Sequence, residues 1–88
     1  MPYILSKHAD QQAAERRITL EIIDQIMSSP QQVIDEIEFG QKIYQSIITF
    51  SENKTYLVRI CVNVEKEPNV VKTVYRTSKI AKYYEGEI

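Results

Sequence analysis

The chain has one histidine, one cysteine and two glycines among 88 residues, and each scarcity removes a class of chemistry. Cys61 has no second cysteine with which to close an intramolecular disulfide. With His8 as the single histidine, a small zinc site lacks its usual ligands, so no metal or other cofactor is expected. Gly40 and Gly86 stand far apart, which leaves no glycine-rich loop to cradle phosphates. Nothing suggests a Ser-His-Asp or Cys-His arrangement. No apolar run nears the ~20 residues that span a bilayer. The opening Met-Pro-Tyr-Ile-Leu-Ser-Lys-His lacks the long apolar stretch of a signal peptide. The expectation is a cytoplasmic protein without a membrane partner, its lone thiol kept reduced.

A surplus of positive charge is also missing. The net charge is −1, which argues against indiscriminate nucleic-acid binding. The charge is nevertheless segregated. Residues 21–38 hold Glu21, Asp24, Asp35, Glu36 and Glu38 with no Lys or Arg, whereas residues 69–84 hold Lys72, Arg76, Lys79 and Lys82 with no acid.

What is present is enough for one domain. Tyr3-Ile4-Leu5 is a short candidate edge strand, and Ser6 stands where a helix N-cap would accept a backbone N–H. Residues 7–16 contain good helix formers and no Gly or Pro. Thr19 caps a second predicted helix, on which Leu20, Ile22, Ile23, Ile26 and Met27 make an apolar stripe. Ser28-Ser29-Pro30 ends it. From Gln31 the period changes to two. Strands are predicted up to Gly40, over Ile43–Phe50, over Tyr56–Val64 and over Val70–Thr77, with Lys72 and Arg76 on one face of the last and Tyr75 on the other. Ser78 caps a last helix, Lys79–Glu85. The expected fold is α+β: two N-terminal helices packed on a four-stranded, mostly antiparallel sheet, with a short C-terminal helix. Tyr3–Leu5 is left to add to the sheet edge.

Three groups of residues carry candidate chemistry. His8, Gln12 and Arg16 are four apart and line one face of the first helix, where a histidine and an arginine can hold an anion; the plainer account is a solvated face. Arg59 interrupts a strand face that otherwise shows Leu57 and Cys61; it snorkels to the edge, pairs with an acid or points into a groove, and pairing is the commonest of these. The run Tyr75-Arg76-Thr77-Ser78-Lys79 with Lys82, Tyr83 and Tyr84 mixes phosphate-binding cations with rings that stack on bases. It serves equally well to dock a terminal helix. Asp35, Glu36 and Glu38 are too dispersed along a strand for magnesium-dependent work.

The segments Ser6-Lys7-His8-Ala9, Glu15-Arg16 and Ile18-Thr19, then Ser28-Ser29-Pro30-Gln31-Gln32-Val33-Ile34 and Val71–Tyr83, resemble a widespread bacterial family of small domains of unknown function. Gln12 stands where that family usually has arginine, and Arg17 where it usually has glycine. The family is similar in layout to the BrnT and RelE toxins of type II toxin–antitoxin systems. That resemblance implies metal-free endoribonuclease activity, in which a ribose 2′-OH attacks the adjacent phosphate. His8 and Tyr83 are then candidates for proton transfer, Arg16, Arg59 and Arg76 for holding phosphate, and Lys79 for assisting. The implied partners are RNA and a cognate antitoxin whose acidic segment covers the basic end, with a second copy of the chain as a further candidate. The competing expectation is a non-catalytic module that binds protein or RNA.

Overall fold

The structure, a computed structural model, describes residues 2–86. The elements follow in the order β1 (Tyr3–Leu5), α1 (Lys7–Glu15), α2 (Leu20–Ser28), β2 (Gln32–Glu36), β3 (Gln41–Thr49), β4 (Thr55–Asn63), β5 (Asn69–Thr77) and α3 (Ile80–Tyr83). A single 3-10 turn, Ile37–Phe39, joins β2 to β3. No helix among the described residues is long and apolar enough to cross a membrane.

Both N-terminal helices start where a hydroxyl can accept an orphan N–H. Ser6 Oγ accepts from Ala9 N at 3.0 Å, and Thr19 Oγ1 accepts from Ile22 N at 3.2 Å. The exit from α1 has two further bonds, Arg17 N–H to Ala14 O at 3.3 Å and Ile18 N–H to Ala13 O at 2.9 Å. This is a Schellman stop, with Ile18 and Ala13 both buried. Its left-handed position is filled by Arg17, at φ 56°. An L side chain is strained there and a glycine is not. Arg17→Gly is therefore expected to stabilise the fold by about 0.5–1 kcal/mol, net of glycine's entropy cost. A urea midpoint that rises without a change in slope would verify this, and one that falls would show that the Arg17 side chain contributes more than its backbone costs.

The α+β class is as expected, but the sheet has five strands in the order β1-β5-β4-β3-β2. The added strand is β1, paired parallel to β5 through Tyr3↔Asn69, Ile4↔Val70 and Leu5↔Val71. The candidate edge strand thus does join the sheet, but three residues carry too little pattern to announce that its partner is β5 and that the pairing is parallel. The other pairs are antiparallel.

Tyr44 on β3, Val58, Ile60 and Val62 on β4, and Val71 and Val74 on β5 form one core with Ala9, Ala13, Ile23, Ile26 and Met27 of the helices. The alternation of β4 is faithful, so Arg59, between Val58 and Ile60, points to the opposite face. The alternation of β5 is not. A bulge opposite Cys61/Val62 inserts an extra residue, so Val71 and Val74 both face the helices. Lys72 is thereby moved to the face it was not expected on, and its Nζ donates to Gln41 Oε1 at 2.7 Å. The last helix is also shorter than predicted. The Thr77 hydroxyl accepts from Lys79 N at 3.1 Å, and no side chain caps the helix.

Candidate functional site

Across the three central strands, Gln45, Arg59 and Tyr75 stand in one row, Gln45↔Arg59 and Arg59↔Tyr75. The row lies on the face away from α1 and α2. Cross-strand neighbours on one face are close enough to bond, and these do. Arg59 Nε donates to Gln45 Oε1 at 2.9 Å, and Arg59 NH1 donates to the Tyr75 hydroxyl at 2.7 Å. The guanidinium carbon lies 4.5 Å from the centre of the Tyr83 ring and 5.9 Å from that of Tyr75. The guanidinium thus lies near two rings, closer to Tyr83, at distances that cation–π attraction favours.

The remaining part of the cluster fixes α3. Gln45 is fully buried. Its Nε2 donates to Gln32 Oε1 at 2.7 Å and to the Tyr83 carbonyl at 3.2 Å. Gln32 in turn accepts from Glu85 N at 3.0 Å and donates to the Glu85 carbonyl. Two glutamine amides therefore hold the last turn of the chain, and with it the Tyr83 ring, against the sheet. Gln45→Leu keeps the volume but strands these partners. It is expected to cost about 2–3 kcal/mol, because each group left buried and unpaired loses its water as well as its bond. It also frees α3, so hydrogen exchange at Tyr83 and Tyr84 should accelerate more than exchange in the α1/α2 core. Uniform acceleration would mean that Gln45 contributes only packing.

Among the described residues Arg59 makes no ion pair. The salt bridges given by the described residues are Lys42–Asp35 at 3.6 Å and Arg76–Glu52 at 3.0 Å. An acid was expected to neutralise Arg59, but among the described residues neutral groups, Gln45 and Tyr75, hold it instead. A half-buried cation with neutral partners keeps its charge available to an anion, and its guanidinium geometry suits a phosphate. Lys79 and Lys82 are exposed on the same terminal segment, with Lys82 Nζ 5.2 Å from the Tyr83 ring centre.

The six residues singled out in the sequence do not all meet. Arg59 and Tyr83 are in contact, and Lys79 precedes the same short helix. Arg76 projects on the helix-side face of the sheet, where it pairs with Glu52 and covers Phe50 and Tyr56 at 4.4 and 4.5 Å from their ring centres. His8 on α1 is exposed and Arg16, which caps the end of α1, is half-exposed, and neither side chain has a polar partner among the described residues. Gln12 between them is spent on structure, since its Oε1 accepts from Val74 N at 3.1 Å. That bond satisfies the edge of β5 beyond the end of β1. Gln32, Gln45 and Tyr75 of the cluster were not among these six. Tyr75 was visible in the aromatic-basic run, but Gln45 shows no signal beyond being polar in an apolar strand.

Cys61 shares the Arg59 face, and burial pushes its thiol above the ordinary range, so it is a poor nucleophile at neutral pH. A surface hollow of about 550 Å³ lies among Pro2, Tyr3, Leu20, Glu21 and Asp24. Among the described residues that line it are Glu21 and Asp24 and none of the Arg59 cluster, so the two sites are distinct.

A family model described as a domain of unknown function, DUF4258, matches residues 5–76. The chain belongs to this family. The DUF4258 match contains α1, α2 and the strands that place Gln45, Arg59 and Tyr75, whereas Lys79 and Tyr83 follow it in the sequence. No curated protein and no solved structure matches the chain.

Proposed function

We propose that this DUF4258 domain binds an RNA backbone at Arg59 and cleaves it without a metal, as the toxin of a type II toxin–antitoxin pair. The observation that carries this reading is the charge of Arg59, which has no acidic partner among the described residues and is held by Gln45 and Tyr75 beside the Tyr83 ring. A phosphate over Arg59 meets the N–H groups that Gln45 and Tyr75 leave unused. As the ribose 2′-oxygen attacks phosphorus, charge builds on the equatorial oxygens, and a preorganised guanidinium stabilises that charge more than the ground state. Because Tyr75 accepts from Arg59, its own O–H points elsewhere and can give its proton to the departing 5′-oxygen. The 2′-OH proton leaves to solvent. Tyr83 offers a stacking face, and Lys79 and Lys82 hold neighbouring phosphates. Arg76 has no part in this step because Glu52 takes its charge, and His8 and Arg16 belong to α1. The layout resemblance to RelE and BrnT toxins supports the same reading, and an antitoxin would then place an acidic segment over Arg59 and Lys82.

The test is incubation of the purified protein with single-stranded RNA in excess chelator. Products ending in a 2′,3′-cyclic phosphate and a 5′-hydroxyl are expected, and induced expression should arrest growth. Salt-dependent RNA binding without cleavage would reduce the proposal to an RNA-binding module. Neither binding nor cleavage would end it.

A further inference from the structure

Strand β2 is an outer strand of the sheet. Alternate residues of such a strand turn their N–H and C=O groups outward, ready to pair with another chain. Edges are commonly guarded by lysine or by proline within the strand. Gln32–Glu36 contains neither. The edge is instead apolar and acidic. Val33 is 44% exposed, and the 3-10 turn that follows leaves Ile37 83% and Phe39 70% exposed. Ile37 and Phe39 line a hollow of about 380 Å³ with Asp35, Glu36 and Glu38. Lys42 pairs with Asp35, and Glu36 accepts from Gln41, but Glu38 has no partner among the described residues.

We infer that β2 and its 3-10 turn form a docking edge for an extended, basic segment of a partner protein. That segment would add as a further strand beside β2, set apolar side chains on Ile37 and Phe39, and set Lys or Arg against the three acids. Backbone pairing supplies affinity in this mode and the flanking side chains supply specificity. The charge argues for the occupant. A second copy paired about a two-fold axis would gather both sets of Asp35, Glu36 and Glu38 along one short ladder, where like charges repel. RNA is repelled by the same acids. The inference does not depend on ribonuclease activity: Gln32 at the start of β2 also bonds Gln45, but the exposed apolar and acidic residues from Val33 to Phe39 include none of Gln45, Arg59, Tyr75 and Tyr83.

The probe is an N-acetylated, C-amidated hexapeptide of alternating Lys and Val, titrated into the isotope-labelled full-length protein. Amide shifts are expected to concentrate at residues 32–39 and to be absent with the matching Glu–Val peptide. The double substitution Ile37→Ser, Phe39→Ser replaces exposed side chains, so the fold should survive it. It should weaken binding about tenfold or more. Glu38→Lys should weaken it about threefold, and less in high salt. Shifts that scatter over the surface, no shifts at all, or equal binding of the acidic peptide would overturn the inference. So would a dimer in sedimentation that Phe39→Ser dissolves, since a second copy would then occupy the edge.

Discussion

Arg59→Ala is expected to lower RNA cleavage by about 10²–10³-fold while leaving the helix-side core intact, the loss typical of removing one preorganised donor from a developing oxyanion. The substitution leaves Gln45 Oε1 and the Tyr75 hydroxyl without the partner they now have at 2.9 and 2.7 Å, so some stability goes with it. Two further variants separate chemistry from folding. Arg59→Lys keeps the charge but cannot reach Gln45 and Tyr75 as a planar fork, and should recover binding better than cleavage. Arg76→Ala removes an arginine of the same strand system whose guanidinium is paired with Glu52 and stacked on Phe50 and Tyr56. It should leave the cleavage rate per folded molecule unchanged and lower stability by about 1 kcal/mol. Were Arg76→Ala to abolish cleavage while Arg59→Ala did not, the helix-side face would be the working one and the proposal would be wrong in its main residue.

Ile60→Ala should cost about 3–4 kcal/mol, the middle of the range for opening a cavity in a packed core. Ile60 is fully buried in the central strand, between β3 and β5 and under the helices. Its neighbours are held by ladders on both sides, so the site has little freedom to collapse. A domain of this length has only about 5–10 kcal/mol of total stability. The melting temperature should therefore fall by about 15 °C or more. Ile37→Ala is the control: with Ile37 83% exposed, the same chemical change should shift stability by less than about 0.5 kcal/mol. Equal losses at the two positions would show that the packing assigned to β4 is incorrect.

The helices were legible because their signals are local. A hydroxyl before an apolar period, and a proline after it, act over a few residues, and the structure places Ser6, Thr19 and Ser29 at the ends of α1 and α2. The even positions of β4 were legible for the same reason, since an unbroken alternation from Tyr56 to Val64 assigns one face to the core. The Arg59 cluster was half legible. An arginine in the middle of an alternating strand was an evident anomaly, and Tyr83 an evident neighbour of cations. That Gln45 and Tyr75 flank Arg59 depends on register, which comes from pairing partners 14 and 16 residues away. The face of Lys72 depends on a one-residue bulge that leaves no pattern in the composition.

By itself, then, the order of residues determined the class of fold, the ends of its first two helices and the side of β4 that meets them, because propensity, capping and alternation are properties of neighbours in the chain. The addition of β1, the bulge in β5, the clamp on α3 and the separation of Arg59 from Arg76 were decided only when distant segments met. They follow from hydrogen-bond and packing choices between strands, and no short stretch of sequence contains both sides of such a choice.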